Sequence, residues 1–448
     1  MSDLLSIGAS GVRAYQNALT TTSENIANSG VQGYSRRRTE LQEIAVPPSG
    51  YSPTKLTRSM GVAVTGIARV ADAYTAAAAR AAGSDLSRTE AGIEWLGRIE
   101  DALTGAGLPA RVTGFFNSAR QLAADPSSIA ARAVMLEQAA AVAGSFRATG
   151  AALDKVQAQI DETARDLTDK LDGFGRALAV INEKIGRITP GSSAAAAMAD
   201  ERDRLLDAMS GLADVSVAID DIGRATVRLG ASNGPVFVTG AMSGDMAYSR
   251  ATTGVASFAV YLAGQADAIS PNGGSLGAIV DAAGRTFDAR TRVEQLAQDL
   301  ADAVNDNQAN GFDLTNGPGP DIFVGTTLAT FNVSPTVKPE NIAAAGAANR
   351  PRDASNLEAL QQARASLGFE AKLADMTTIN ATALNQRRLV ADAQAAIRDG
   401  AVAAREAVSG VDLDREAVDL IRFQQAYQAS SRVIQVARET LQSILEIR

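Results

Sequence analysis

The sequence predicts a mainly α protein with an inserted small β domain. Its N- and C-terminal helices pair as a coiled coil, and a long helical rod lies between them in an elongated, multi-domain chain. Three observations predict this. Apolar residues recur at 3-4 spacing at both ends of the chain. A run with the same rhythm extends from Leu136 to Ile188, too long for a compact globule. From Val215 the period changes to two.

The first segment, residues 2–28, reads as a helix capped by Ser2 or Asp3, with Leu5, Gly8, Val12, Tyr15, Leu19, Thr22 and Ile26 as its seam. Only Asp3, Arg13 and Glu24 are charged, and the outer face is Ser, Thr, Asn and Gln. Such an uncharged surface fits a helix whose second face also meets something. The helix ends in the turn-rich segment Asn28-Ser29-Gly30-Val31-Gln32-Gly33-Tyr34, where glycine supplies positive φ. Arg36, Arg37 and Arg38 follow, either as a solvated run or as a contact with a neighbouring subunit. An extended stretch punctuated by Pro47, Pro48 and Pro53 then continues to Val70.

Helix resumes over Ala73–Leu103 and Val112–Ala124. The long segment after it breaks at Pro190-Gly191, and one more helix closes near Leu212. At about 1.5 Å per residue, the long segment is a rod of roughly 80 Å. Val215/Val217/Ile219 and Ala225/Val227/Leu229 alternate on either side of a turn, and Val236/Val238 and Phe258/Val260/Leu262 continue the pattern. Helix returns over Thr286–Asn307, short strands lie at Ile322–Val324 and Thr330–Val333, and the chain is helical again from Ser355. The last helix carries Leu413, Leu420, Phe423, Tyr427, Ser430, Ile434, Ala437, Leu441 and Ile444, with Asp412 as cap. The division expected is a terminal coiled-coil domain of 1–60 with 405–448, a helical rod of 61–212 with 275–404, and a β insertion of 213–274.

Composition narrows function. Aromatics are 4% of 448 residues and Ala is plentiful, which suits thin helical packing. Net charge is −8 with basic residues scattered, so nucleic acid is not an expected partner. There is no Cys and no His, which removes disulfides, thiolate chemistry, the commonest general base and the commonest metal ligands. No apolar run approaches a membrane span, and no cleavable signal is read at the N-terminus.

The chemical motifs are weak. Gly230-Ala231-Ser232-Asn233-Gly234 matches a nucleophile pattern, but without His no triad forms, and a hairpin turn is the better reading. Asp306, Gln308, Asn310 and Gly311 imitate a calcium loop whose twelfth position, Gly317, lacks the required Glu. No phosphate-binding glycine loop precedes any of the six lysines. No catalytic residue, cofactor or metal is expected. A wall hydrolase would need an acidic pair in a cleft.

Ser23-Glu24-Asn25-Ile26-Ala27-Asn28-Ser29-Gly30-Val31-Gln32-Gly33-Tyr34-Ser35-Arg36 resembles the N-terminal signature of the bacterial flagellar rod, hook and hook-associated proteins. Ser409-Gly410-Val411-Asp412-Leu413-Asp414 with Arg422-Phe423-Gln424-Gln425-Ala426-Tyr427-Gln428-Ala429 resembles the other half. Within that family, Tyr34-Ser35-Arg36, the Arg-Phe-Gln-Gln run, Asp200-Glu201-Arg202-Asp203-Arg204-Leu205 and Gly274-Ser275-Leu276-Gly277 favour the hook–filament junction over a hook or distal-rod role. Ala197-Met198-Ala199 departs from the family pattern before the Asp200 segment, and the short β region implies that an outermost domain is absent.

The resemblance implies a structural, non-enzymatic component of the flagellum. It would be secreted by the flagellar type III pathway and assembled as a homo-oligomeric ring between hook protein and hook-associated protein 3, with no membrane contact. An export chaperone would cover the C-terminal helix, and the terminal segments would be disordered before assembly. The residues expected to carry assembly are Leu5, Val12, Tyr15, Leu19, Ile26, Asn28, Gly33, Tyr34, Leu413, Leu420, Phe423, Tyr427, Ile434, Leu441 and Ile444.

Overall fold

The computed structural model describes residues 2–46 and 58–446. Pro47, Pro48, Pro53 and the side chain of Ile444 lie outside the described residues. Helix α1 (Ser2–Asn28) turns into an antiparallel hairpin of β1 (Arg37–Val46) and β2 (Arg58–Arg69). The hairpin packs against α1, and β2 passes residue 60 before the chain enters the rod.

The rod begins with α2 (Ala73–Thr104), α3 (Leu108–Ala124), α4 (Ile129–Ile185) and α5 (Ser193–Leu212). Asp72, Ser128 and Ser192 accept hydrogen bonds from backbone amides in the first turns of α2, α4 and α5, giving each helix a defined start. Helix α4 has 57 residues, so it runs for about 85 Å. Its buried positions, from Met135 through Phe146, Leu153, Ile160 and Leu171 to Ile185, follow the rhythm read from the sequence.

Seven strands follow: β3 (Val215–Ile219), β4 (Ala225–Leu229), β5 (Val236–Thr239), β6 (Met242–Ser243), β7 (Asp245–Arg250), β8 (Ala256–Leu262) and β9 (Gln265–Ile269). They form antiparallel sheets in the orders β3-β4-β5-β6 and β7-β8-β9. Both lie on α4. A Cβ at Gly175 would come 2.8 Å from the Phe237 ring, so the glycine makes room for that ring. Buried Asn182 bonds to both backbone groups of Ala225 and to the Gly240 carbonyl. The hydrophobic core is continuous from the rod into the strands.

The return path is α6 (Gly274–Asn310), a loop with the short strands β10 (Phe323–Val324) and β11 (Asn332–Val333), α7 (Ser355–Leu367), α8 (Phe369–Ser409) and α9 (Leu413–Glu446). Helix α6 starts at Gly274 rather than Thr286. Leu276, Ala278, Ile279, Ala282 and Ala283 are all buried, so the first turns are covered on several sides and show no single-face period. Strands β7 and β9 also escaped the alternation rule. In β9 only Ile269 is buried, as befits an edge strand. Helix α8 runs antiparallel along α2, with Asn380 bonded to the Leu96 carbonyl and Arg387 lying over Gly92. Helix α9 packs on α1.

The chain exposes 23076 Å². A compact monomer of its 46.3 kDa would expose roughly 16,000 Å². The molecule is elongated, as the rod length requires.

Candidate functional site

The terminal pair meets through small residues. Buried positions in α1 are Gly8, Gly11, Ala14, Ala18, Thr21, Thr22 and Asn25. A Cβ at Gly8 would stand 2.7 Å from Ile434 Cγ1 and 3.2 Å from the Ser430 carbonyl, and one at Gly11 2.6 Å from Ser430 Oγ. Backbones that close exclude bulky residues from the centre of the contact. Leu5, Val12, Tyr15, Leu19 and Ile26 are therefore only half-buried along its margin. Tyr15 faces Phe423 with ring centroids 6.4 Å apart. On α9, Leu420, Phe423 and Ile434 are half-buried, whereas Leu413, Tyr427 and Leu441 are exposed. Ile434 thus reaches the seam over Gly8, whereas the other large residues expected there lie beside it or outside it.

Below this contact a polar network locks the end of α1. The Asn25 side chain donates to the Arg37 carbonyl (2.8 Å) and to Glu416 Oε2 (3.0 Å). Its oxygen accepts from the Arg37 amide (3.0 Å) and the Tyr34 hydroxyl (2.9 Å), using the full capacity of the amide. Gly33, at φ +78, allows the turn that brings Tyr34 back, and the Arg204 side chain lies against it. Asn28 bonds to the Glu24 carbonyl and stays local. Burial holds the Tyr34 phenol above its ordinary pKa, with the Arg37 guanidinium partly offsetting it.

The three arginines divide in a way the sequence reading did not foresee. Arg36 Nε donates to buried Glu416 (2.6 Å), and its other arm reaches Asp419. Arg37 is buried and bonds to Glu24, Ser193 and Asp200. Only Arg38 is exposed. Arg36 and Arg37 are therefore neither a solvated run nor free for a neighbour, because their guanidinium groups are held by acids of the same chain.

Asp200 joins the terminal part to the rod. One carboxylate oxygen takes Arg37 and the other Arg69, 2.7 Å away, while Arg69 also reaches Asp203 and Ser35. Burial alone would raise the Asp203 pKa, but Arg69 and Arg202 overcome it and hold the carboxyl below its ordinary value. Gly191, in the turn between α4 and α5, accepts from the Ile67 amide at 2.6 Å. Sequence reasoning missed Glu416, Asp200 and Arg69. The available signal was that the Asp200 segment is an acidic and basic cluster carried on a helix, with the chain's basic turn as a candidate to meet it.

This arrangement binds helices together through engaged acids and arginines. Gly230–Gly234 is the turn between β4 and β5, and Asp306 lies within α6 rather than at the head of a loop. Among the described residues no acidic cluster could hold a metal ion, and no helix is long and apolar enough to cross a membrane.

Comparison with known proteins agrees with this geometry. Residues 96–323 match the flagellar hook-associated protein FlgK helical domain, and residues 405–447 match the flagellar basal body rod FlgEFG protein C-terminal family. Flagellar hook-associated protein 1 of Escherichia coli (strain K12) is 27% identical over 336 residues, covering 72% of this chain and 60% of the relative. The Salmonella typhimurium protein of that name is also 27% identical, with 61% of its length spanned. The Bacillus subtilis (strain 168) protein is 25% identical over an alignment of 490 residues, covering 96% of this chain and 95% of the relative. The flagellar hook junction protein FlgK from Burkholderia pseudomallei shares the fold with a TM-score of 0.50 and 22% identity, over 55% of this chain and 46% of that one. Because the helical-domain match alone takes in just over half of the chain, the chain belongs to the family of the flagellar hook-associated protein FlgK.

Proposed function

We propose that this chain is a structural component of the hook–filament junction, located in the flagellum and adapting the hook to the filament. The observation that carries it is the α1–α9 contact. Its centre is built from glycine, alanine and serine, while Leu5, Val12, Leu19, Leu413, Tyr427 and Leu441 keep apolar surface at the margin or outside. One helical hairpin leaves that surface uncovered, and neighbouring copies would cover it. The assembly is a homo-oligomeric ring, with hook protein on one side and hook-associated protein 3 on the other. The terminal helices face the central channel, the rod lies outside them, and the strands Val215–Ile269 ride on the rod.

Before assembly, an export chaperone covers α9, and the chain travels the flagellar type III pathway. The protein acts through contacts and is not an enzyme. Its acids at the terminal junction are engaged with arginines rather than poised in a cleft.

A hook or distal-rod role is the second reading, favoured by the match of residues 405–447 to the FlgEFG C-terminal family. Deletion of the gene followed by electron microscopy separates the two. Hooks without filaments, with flagellin released to the medium, are the expected result. Absent hooks would replace the junction reading with the second.

A further inference from the structure

Helix α8 has a face that nothing covers among the described residues. One side packs on α2 through Leu384, Arg387 and the positions that follow at helical spacing. A second side carries Ile379, Leu389, Val390, Ile397 and Val408, all exposed, with Leu389 at 72% and Ile397 at 63%. At 100° per residue these fall within one stripe, about 45 Å long. The positions between them are alanines, Gly400 and two uncharged polar residues, Thr382 and Gln386. No charged side chain lies on that stripe, because Arg388, Asp392, Asp399 and Glu406 are gathered on the third side of the helix. Gly400 sits in mid-helix with nothing within 4 Å of the position its Cβ would take. An exposed glycine there weakens the helix with no return inside a single chain.

We propose that this stripe is a lateral interface with a second copy of the same chain, an inference that rests on the assembly described above and assigns its outer contact. Three observations select a second copy as the occupant. The chain carries a net charge of −8, so identical copies repel least where an uncharged surface lies between them, and this stripe offers one from Ile379 to Val408. The exposed surface exceeds that of a compact monomer by thousands of Å², room for several contacts of ordinary size. Exposed apolar residues also continue along the chain past Val408, with Val418 and Ile421 on α9, the helix proposed to assemble. A single helix face is too small to hold two free proteins together. The stripe therefore works only when the terminal helices have already brought copies side by side. Gly400 marks where the neighbouring backbone comes closest.

The chain contains no cysteine, which makes the test clean. Ile397→Cys, Asp399→Cys on the charged side and Val436→Cys on α9 would each be expressed in flagellated cells. Labelling with a maleimide would be compared between free protein and isolated flagella, and a maleimide carrying a photoreactive group would report cross-links. For the Ile397→Cys variant the expected result is labelling slowed about ten-fold or more in flagella, together with a cross-linked dimer of this chain. Labelling of the Asp399→Cys variant is expected to be unchanged. Unchanged labelling of the Ile397→Cys variant with protection of the Val436→Cys variant overturns this proposal and leaves the assembly reading standing. A cross-link from position 397 to a different protein overturns the choice of occupant. Absence of the protein from the flagella, or no protection at either position 397 or position 436, overturns both.

Discussion

The side-chain nitrogen of Asn25 lies 3.0 Å from a carboxylate oxygen of Glu416, joining residues from opposite ends of the sequence inside the terminal helix pair. Glu416 is 1% exposed and also receives Arg36. Removing one partner of a largely buried ionic contact costs about 3 kcal/mol, since the Asn25 nitrogen keeps only the Arg37 carbonyl and the Arg36 guanidinium only Asp419. Glu416→Ala is expected to shift the terminal pair toward separation by about two powers of ten. Glu416→Gln keeps an acceptor for Asn25 and costs less. Immunoblots of sheared flagella check this, with the Gln variant recovered and the Ala variant lost.

Gly8 tests the close approach directly. Valine there puts a Cβ 2.7 Å from Ile434 and 3.2 Å from backbone oxygen, which a side-chain rotation cannot relieve. Gly8→Val is expected to abolish incorporation into flagella while leaving thermal unfolding of the rod unchanged. Gly30→Ala, a site with open space, is the control and should behave as the unmodified protein.

Asp172 gives a pH dependence. Burial against β7 pushes its pKa up to about 6, although the Met246 amide donates to it at 2.8 Å. A carboxyl whose folded pKa is raised holds its proton more tightly folded than unfolded. Its contribution is therefore most favourable below about pH 4, falls as pH rises to about 6, and is constant above. The loss is on the order of 2–3 kcal/mol. Asp172→Asn, which keeps the acceptor for Met246, is expected to stabilise the protein by about that amount at pH 7 and by little at pH 4. Urea unfolding of both proteins at the two pH values measures it.

The free protein should be cut first at its ends. Among the described residues of α9 only Glu416 and Ala437 are buried, too little apolar burial to stabilise a helix of 34 residues firmly. Trypsin is expected to cleave at Arg13, Arg422 and Arg432 about ten times faster, or more, than at any site within α4. Mass spectrometry of timed digests decides this, and simultaneous cleavage of α4 would show the ends to be as stable as the rod.

Much of this molecule was legible in the sequence, and the failures have physical causes. The rod was readable because Phe146, Leu153, Ile160 and Leu171 are large, buried and periodic. The terminal seam was readable in period and, at Gly8, Thr22, Ser430, Ile434 and Ala437, in position, but not at most of its large residues. Large residues at 3-4 spacing mark a seam when helices keep their usual distance. At Gly8, Gly11 and Ala14 the helices approach more closely, so Leu5, Val12 and Leu19 move to the margin. Glu416 gave no sign of its contact, because nothing local announces a partner 380 residues away in Arg36. Arg37 and Arg69 likewise acquire meaning only when the fold brings Asp200 between them.

The backbone passes between the terminal part and the rod at two places, Val70–Asp72 and Gly410–Val411. Arg36 draws them together, since its amide donates to the Ser409 carbonyl and its carbonyl accepts from the Val70 amide. Two adjacent tethers make a pivot rather than a rigid strut. Tilting about it bends no helix and stretches no covalent link; it works against the contacts of Asp200 with Arg37 and Arg69, of Arg37 with Ser193, of Arg69 with Asp203, of Arg204 with Gly33 and of Ile67 with Gly191. Load carried along the terminal helices would therefore be met by a change of angle at this joint, with the 57-residue α4 left straight.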